Sequence, residues 1–268
     1  MNRILTTGAA GAIGTALRAG FAGVYRPLRL SDICPISNVA ADEEAVQADL
    51  TDFGTVQALM HGVDCVVHLG GVPREAPWEA ILDNNIVATY NVFEAAHTAG
   101  VKRIVFASSN HAIGFYRVRR AVGVEESLRP DSRYGVSKAF GEALARLYAD
   151  KHGLSVASLR IGSFRPRPEN ARQLATWVSP RDLTQLVRRC IDAPHFHYLV
   201  LYGVSNNTRS RWRSPHAERI GYVPQDNAED YAGDVGMGDA GNARDPSALF
   251  HGGEFCALEF SGDIDAIE

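Results

Sequence analysis

Long apolar runs are missing from this chain of 268 residues. With no stretch of about 18 consecutive apolar residues, a membrane-spanning helix is not expected. A large excess of charge is missing too. The 27 basic and 31 acidic residues leave a net charge of −4, too little to draw the chain to phosphate backbones or anionic lipid, so neither nucleic acid nor membrane is expected as a partner. Cysteine is scarce and dispersed (Cys34, Cys65, Cys190, Cys256), with no C-x-x-C pair. That argues against a disulfide framework or a zinc site, and for free thiols in a cytoplasmic protein with no metal. Lysine is almost absent, and only Lys102, Lys138 and Lys151 occur. No secretory leader is expected, because Met1-Asn2-Arg3-Ile4-Leu5 runs directly into glycine-rich sequence rather than into a long apolar segment.

What remains is ordinary globular material, 46% hydrophobic and 22% charged, which excludes a disordered or fibrous chain. Short apolar runs alternate with helical patterns for two hundred residues. Strands are predicted at Ile4–Thr6, Arg29–Asp32, Ala45–Asp49, Asp64–Leu69, Arg103–Ala107, Ser155–Ile161 and Tyr198–Tyr202. Helices are predicted at Ala12–Phe21, Phe53–Met60, Trp78–Ala99 (stopped by Gly100), Asp131–His152 (stopped by Gly153) and Ser179–Ala193, with Pro194 just beyond. Strands apolar on both faces imply a parallel sheet covered on both sides. The fold class is therefore α/β, a doubly wound Rossmann-like sheet whose ligands bind beyond the carboxyl ends of the strands. After Gly203 the pattern weakens. Ser214–Ile220 is a candidate helix, and residues 233–268 show little periodicity. One domain is expected over 1–268, with 1–160 mainly holding a cofactor. Residues 161–268 supply a substrate loop, the last strand and a small extension.

Four motifs carry chemistry. Gly8-Ala9-Ala10-Gly11-Ala12-Ile13-Gly14 follows a strand and opens a helix, where a tight turn and free N–H groups suit a pyrophosphate. A plain turn between packed elements would use the same glycines. Asp32 ends the second strand 18 residues beyond Gly14, where a carboxylate accepts from adenosine ribose hydroxyls and repels a 2′-phosphate. No arginine lies between Ile33 and Asn38, so NAD is favoured over NADP. Asp49-Leu50 after the third strand and Leu69-Gly70-Gly71 after the fourth are further candidate cofactor contacts. Tyr134 and Lys138 stand at i and i+4 on one helical face, where the ammonium is expected to lower the phenol pKa and the phenolate to act as base. By spacing alone the reading as two surface neighbours wins, because Y-x-x-x-K is common by chance. Ser108-Ser109-Asn110-His111 ends the fifth strand on the ligand side, and a serine there can bond a reacting oxygen. Arg165, Arg167 and Arg172 cluster after the sixth strand and suit a carboxylate ligand, although solvated loop arginines would read the same.

Taken in order, these motifs resemble the short-chain dehydrogenase/reductase superfamily in its extended branch, over roughly residues 1–205. The G-x-x-G-x-x-G spacing has that branch's form. Ser109, Tyr134 and Lys138 fall at its catalytic serine, tyrosine and lysine. Asn84-Asn85-Ile86-Val87-Ala88-Thr89-Tyr90-Asn91-Val92 resembles its N-x-x-G-T-x-N segment, with Ala88 in place of glycine, and implies a cofactor contact at Asn85. Within the branch the chain is similar to uronate dehydrogenases, through Ser108–Gly114, Arg160–Ser163, Arg172 with Ala175-Thr176-Trp177, and Tyr202–Asn207. The resemblance implies NAD-dependent oxidation of D-glucuronate or D-galacturonate at C1 to an aldaro-lactone. It implies substrate contacts at Ser109, Asn110, His111, Tyr134, Ser163 and Arg172, and a homo-oligomer is expected. Some members carry a serine where this chain has Pro73, so that hydroxyl contact does not carry over. The alternatives are a nucleotide-sugar epimerase or dehydratase of the same superfamily, for which little chain follows the seventh strand, and a non-catalytic NAD-sensing protein, which would not need the Tyr/Lys pair.

Overall fold

Neighbouring residues along each central strand belong to different cores. Ile4, Cys65, Val67, Val105 and Leu159 pack on one side of the sheet, and Leu5, Val66, Ile104, Phe106 and Val156 on the other. That is the period-2 alternation of a strand buried on both faces. In the computed structural model, which describes residues 3–235 and 244–267, the strands are β1 (Ile4–Thr7), β2 (Leu28–Asp32), β3 (Glu43–Gln47), β4 (Cys65–His68), β5 (Arg103–Ser109) and β6 (Ser155–Ile161), then a short β7 (Ser163–Phe164) and β8 (Trp177–Val178), and last β9 (Tyr198–Gly203). Seven of them form one parallel sheet in the order β3-β2-β1-β4-β5-β6-β9, and β7 and β8 pair separately.

The chain winds outward from β1 to β3, then restarts at β4 on the other side of β1. The carboxyl ends of β1 and β4 therefore open the crevice where a doubly wound sheet binds its ligand. Helices α1 (Ala12–Phe21), α2 (Phe53–Leu59), α3 (Trp78–Ile81), α4 (Ala88–Thr98) and α5 (Arg133–His152) make the crossovers. A short α6 (Gln173–Thr176) precedes α7 (Pro180–Asp192), which covers the α1 face. Two further turns of helix, α8 (Pro246–Leu249) and α9 (Glu254–Ala257), lie in the carboxyl-terminal segment.

The strands and most helices fall where the sequence predicts them. Four differences have physical causes. The third strand begins two residues early, at Glu43, whose carboxylate pairs with Arg18 of α1 at 2.6 Å, and it ends before Asp49, whose side chain accepts from Thr51 N–H and closes a turn. The predicted helix 78–99 is broken by a π-helical turn, Leu82–Val87, which contains Asn84 and Asn85; such wider turns recur at functional sites. The helix predicted from Asp131 starts at Arg133, because Ser132 caps it by accepting from Gly135 N–H at 3.0 Å and leaves Asp131 outside. Ser214–Ile220 yields only a 3₁₀ turn at Glu218–Ile220, stopped by Gly221 in the left-handed region.

Candidate active site

The β1–α1 turn is shaped by backbone meeting backbone. Gly8 has φ +69°, and a Cβ there would lie 2.8 Å from Gly70 N and Leu69 C, so the turn packs directly on the end of β4. A Cβ at Gly14 would collide with the carbonyl of Gly8. No side chain caps α1 at Gly11, which leaves the amides of Ala12, Ile13 and Gly14 facing the crevice. Asp32 is fixed beside the turn, its Oδ2 accepting from Ala10 N at 2.9 Å and its Oδ1 from Cys34 N at 2.9 Å. Arg18 of α1 is held by Glu43 and by the carbonyls of Ser37 and Asn38, so it is committed away from any 2′-phosphate. A dinucleotide with a free ribose diol fits this donor and acceptor set.

The other candidate cofactor residues divide. Leu50 packs on Gly70 and is held from behind by Asn91, whose Nδ2 donates to Leu50 O and Thr51 O at 2.9 and 3.0 Å. Asp49 shares Oδ1 with Thr51, N at 2.9 Å and Oγ1 at 2.8 Å, and stays exposed at the crevice edge. Asn85 departs from the expectation. Its Oδ1 accepts from Val72 N at 2.7 Å, and its Nδ2 donates to Val72 O and Ser137 Oγ at 3.0 and 3.1 Å. A buried amide with every group engaged clamps the loop after β4 onto α5 and offers a ligand nothing. Behind the same loop, buried His68 bonds Thr7 Oγ1 at 2.8 Å, and Thr7 Oγ1 accepts from Gly70 N at 3.3 Å. Burial pulls the His68 pKa down to about 3, so it is a neutral brace.

Ser109, Tyr134 and Lys138 meet at the carboxyl end of β5. Ser109 closes the strand, and Tyr134 and Lys138 lie in the first turns of α5 on one face. The three are buried, and the Ser109 hydroxyl acts on the Tyr134 phenol in the direction that favours its ionised form. Lys138 Nζ sits 5.5 Å from the Tyr134 ring centroid and 5.3 Å from that of Phe106. Burial pushes the phenol up to about 12, outweighing the Ser109 bond that lowers it, and burial pulls Lys138 down to about 8. The expectation that Lys138 lowers the phenol pKa is thus corrected for the protein alone: desolvation of the buried phenol dominates there. Glu75, from the loop after β4, accepts from Tyr134 N at 2.8 Å and pairs with Arg133 at 2.8 Å, and Arg133 reaches Glu259 in the carboxyl-terminal segment at 2.7 Å. Pro73 lies exposed in that loop.

On the far side of Tyr134 stand Asn110, His111, Ser163 and Arg172. The Asn110 amide satisfies both neighbours when its nitrogen donates to Ile161 O at 3.1 Å and its oxygen accepts from Arg172 Nη2 at 3.0 Å. Arg172 also donates to His251 O through Nε (3.1 Å) and Nη2 (2.6 Å), and to Ser163 Oγ through Nη1 at 3.5 Å. Every one of these acceptors is neutral. No carboxylate among the described residues lies within ion-pair reach of Arg172, and burial holds its pKa below the ordinary arginine value. Arg165 is exposed and paired with Glu169 at 3.3 Å, and Arg167 is exposed, so neither faces the site.

Sequence reasoning missed Asp131, His251 and Phe255. Phe255 stacks on the His111 ring at 4.0 Å, and His111 in turn meets Tyr134 edge-on at 5.7 Å. Phe255 and His251 arrive from the weakly periodic segment, with no spacing signal to announce them. Residues 236–243 and 268 of that segment lie outside the described residues.

The chain is similar to known proteins in sequence and in fold. The family model described as the NAD-dependent epimerase/dehydratase family matches residues 4–191. The uronate dehydrogenase of Pseudomonas putida is 45% identical over 255 residues, 95% of each chain. The crystal structure of glucuronic acid dehydrogenase from Chromohalobacter salexigens superposes with a TM-score of 0.91 at 42% identity, covering 99% of both chains. A mutant uronate dehydrogenase from Agrobacterium tumefaciens, complexed with NAD, gives 0.91 at 42% identity over 96% of this chain and 97% of that one.

Proposed function

The chain belongs to the NAD-dependent epimerase/dehydratase family, and from that premise we propose that it oxidises a hexuronate, D-glucuronate or D-galacturonate, at C1 to the aldaro-lactone. The observation that carries the substrate class is Arg172: a half-buried guanidinium whose described partners are all neutral is a site for an anion, and its fork matches a carboxylate. NAD, when bound, supplies the acceptor for the C1 hydride.

The residues of the chain do the rest. The amides of Ala12, Ile13 and Gly14 receive the diphosphate and Asp32 the ribose hydroxyls, while Leu50, Leu69, Gly70 and Gly71 form the apolar and backbone wall. Tyr134 takes the proton of the C1 hydroxyl, and Ser109 holds the same oxygen. Lys138 stabilises the phenolate by its charge. Arg172, with Asn110 and Ser163 beside it, anchors the C6 carboxylate and so decides which carbon meets the cofactor. Fixing the reacting atoms in one geometry is itself worth several kcal/mol of barrier. Within a single domain, residues 1–160 serve mainly the cofactor, although Ser109, Asn110, His111 and Tyr134 among them face the sugar, and 161–268 supply the substrate loop, the last strand and the carboxyl-terminal extension. The free thiols support a cytoplasmic location, and no helix of the described residues is long and apolar enough to cross a membrane. Exposed Trp78, Val87 and Tyr90 on the α3–α4 arm, with Val136 and Leu147 on α5, support a homo-oligomer.

The test is NAD reduction with glucuronate, galacturonate and the matching neutral sugars, run on the wild type and on Tyr134→Phe. Turnover of uronates only, lost by a factor of about 1,000 or more in the variant while NAD still binds, is the expected result. Turnover of neutral sugars alone removes the case for Arg172 as anchor.

A further inference from the structure

Asp131 lies just outside α5 in a space that two glycines make. A Cβ at either Gly114 or Gly252 would collide with its carboxylate, so the loop after β5 and the carboxyl-terminal segment both close directly on it. Its side chain is 0% exposed. Oδ1 accepts from Ser132 Oγ at 2.7 Å, Oδ2 lies 2.7 Å from His111 Nδ1, and the Cys256 thiol stands 4.0 Å from Oδ2. A carboxylate buried this deeply is costly unless its oxygens are satisfied, and here the satisfaction comes chiefly from one hydroxyl and one imidazole.

The same bond constrains the imidazole. A carboxylate only accepts, so Nδ1 of His111 carries the proton, and in the neutral ring Nε2 is left with a bare lone pair. The ring cannot turn away, since Phe255 stacks on one face at 4.0 Å and Tyr134 meets its edge. Among the described residues no group is bonded to Nε2. The backbone N–H of the same residue donates to Ser109 Oγ at 3.2 Å, and the ring as a whole lies against that of Tyr134, 5.7 Å between centroids.

We propose that Asp131 is a positioning residue that fixes the tautomer of His111, so that Nε2 faces the sugar as a hydrogen-bond acceptor for one of its hydroxyls. This rests on the reading of the site as a sugar-acid dehydrogenase. It adds a specificity device to that reading: the Tyr134 side of the sugar must present an O–H to a bare nitrogen. An analogue lacking that hydroxyl leaves a buried acceptor unpaired, a larger penalty than a lost methylene.

Two measurements decide it. The first is the ¹⁵N spectrum of labelled histidine, with the His111 signals identified by their loss in His111→Gln. The wild type should show Nδ1 protonated and Nε2 bare, and Asp131→Asn, nearly the same shape, should shift the proton or mix the tautomers. A wild-type ring protonated on Nε2, or the same single tautomer in both proteins, overturns the proposal. Should Asp131→Asn not fold, the wild-type spectrum decides alone. The second is a double-mutant cycle. Asp131→Asn should lower kcat/KM for the uronate about 10- to 100-fold with NAD affinity unchanged, as removing an orienting outer partner does elsewhere. On a His111→Ala background it should cost no more than about twofold. Equal losses on both backgrounds would show Asp131 acting through the fold and overturn the proposal. If the wild type oxidises no uronate, the proposed function fails, and the spectrum still settles the role of Asp131.

Discussion

Around the β1–α1 turn the ligand surface is made of backbone, and around Arg172 it is made of side chains. At the turn, Gly8, Gly14 and Gly70 pack main chain against main chain, and the amides that remain point outward because no side chain caps α1. Across the crevice, Asn110 comes from the end of β5, Ser163 from β7, Arg172 from the loop before α6, and Phe255 from the far end of the chain. The difference is instructive. A diphosphate is the same in every dinucleotide, so one rigid turn serves. A sugar acid is recognised hydroxyl by hydroxyl, and side chains gathered from separate segments allow that recognition to be changed piece by piece without disturbing the sheet.

The backbone-built side is most sensitive at Gly14. Gly14→Ala places a methyl against the Gly8 carbonyl and the Ala9 backbone, where nothing flexible can yield. NAD affinity should fall about 100-fold or more, which is about 2.7 kcal/mol, with a lower melting temperature, as read by NAD titration and thermal unfolding. Retained affinity would mean that the turn is not the diphosphate site. Arg172→Lys is the matching change in the substrate half. It keeps the charge and loses the fork that bonds His251 O, Ser163 and Asn110 together. Steady-state kinetics should show kcat/KM for uronates reduced about 30- to 100-fold and NAD affinity within twofold of the wild type. Equal damage to both would show that the halves are not separable.

The same contrast governs what the sequence discloses. Elements of the cofactor half are local: an apolar run, a glycine turn and a helix follow one another, and each position has a steric reason that composition alone exposes. Asp32 sits at a fixed offset from the glycine turn and is legible for that reason, whereas the Tyr134/Lys138 spacing is common by chance and points to chemistry only through the family resemblance. Asp131, by contrast, looks like a helix-capping acid, and only the folded chain shows Ser132 taking the cap and Asp131 turning to His111. The segment carrying Phe255 is held by single long-range bonds, such as His251 N to Tyr116 O and Gly252 N to Gly114 O, each at 2.9 Å. Isolated bonds between remote positions leave no periodicity. Asn85 was misplaced for a related reason: its motif is legible, but whether the amide faces a ligand or Val72 depends on a π-helical turn that spacing does not reveal.

Lys138 stands where the two sides meet, and its effect is read in stability rather than rate. In the cofactor-free protein its ammonium faces two aromatic rings, and burial pulls its pKa from 10.5 to about 8. A shift of that size corresponds to about 3 kcal/mol at most of unfavourable charge burial. Between pH 8 and 10.5 the unfolded chain binds the proton that the folded chain has released, so the wild type gains stability as pH rises through that window. Lys138→Met removes the charge and keeps the bulk. At pH 7 it should therefore raise the melting temperature by about 3–8 °C, using about 2–4 °C per kcal/mol for a chain of this size and allowing for part of the cost to be relaxed. The advantage should shrink as pH rises toward 10.5 and vanish above it, where both folded and unfolded wild type carry a neutral amine. Thermal unfolding across pH, without cofactor, measures it. A variant less stable than the wild type at pH 7, or a difference that ignores pH, would show that the lysine is held by compensating contacts and that the site stores no strain there. A stabilised but inactive protein would show the reverse: the cation is kept at a cost to the fold because the phenolate of Tyr134 needs it.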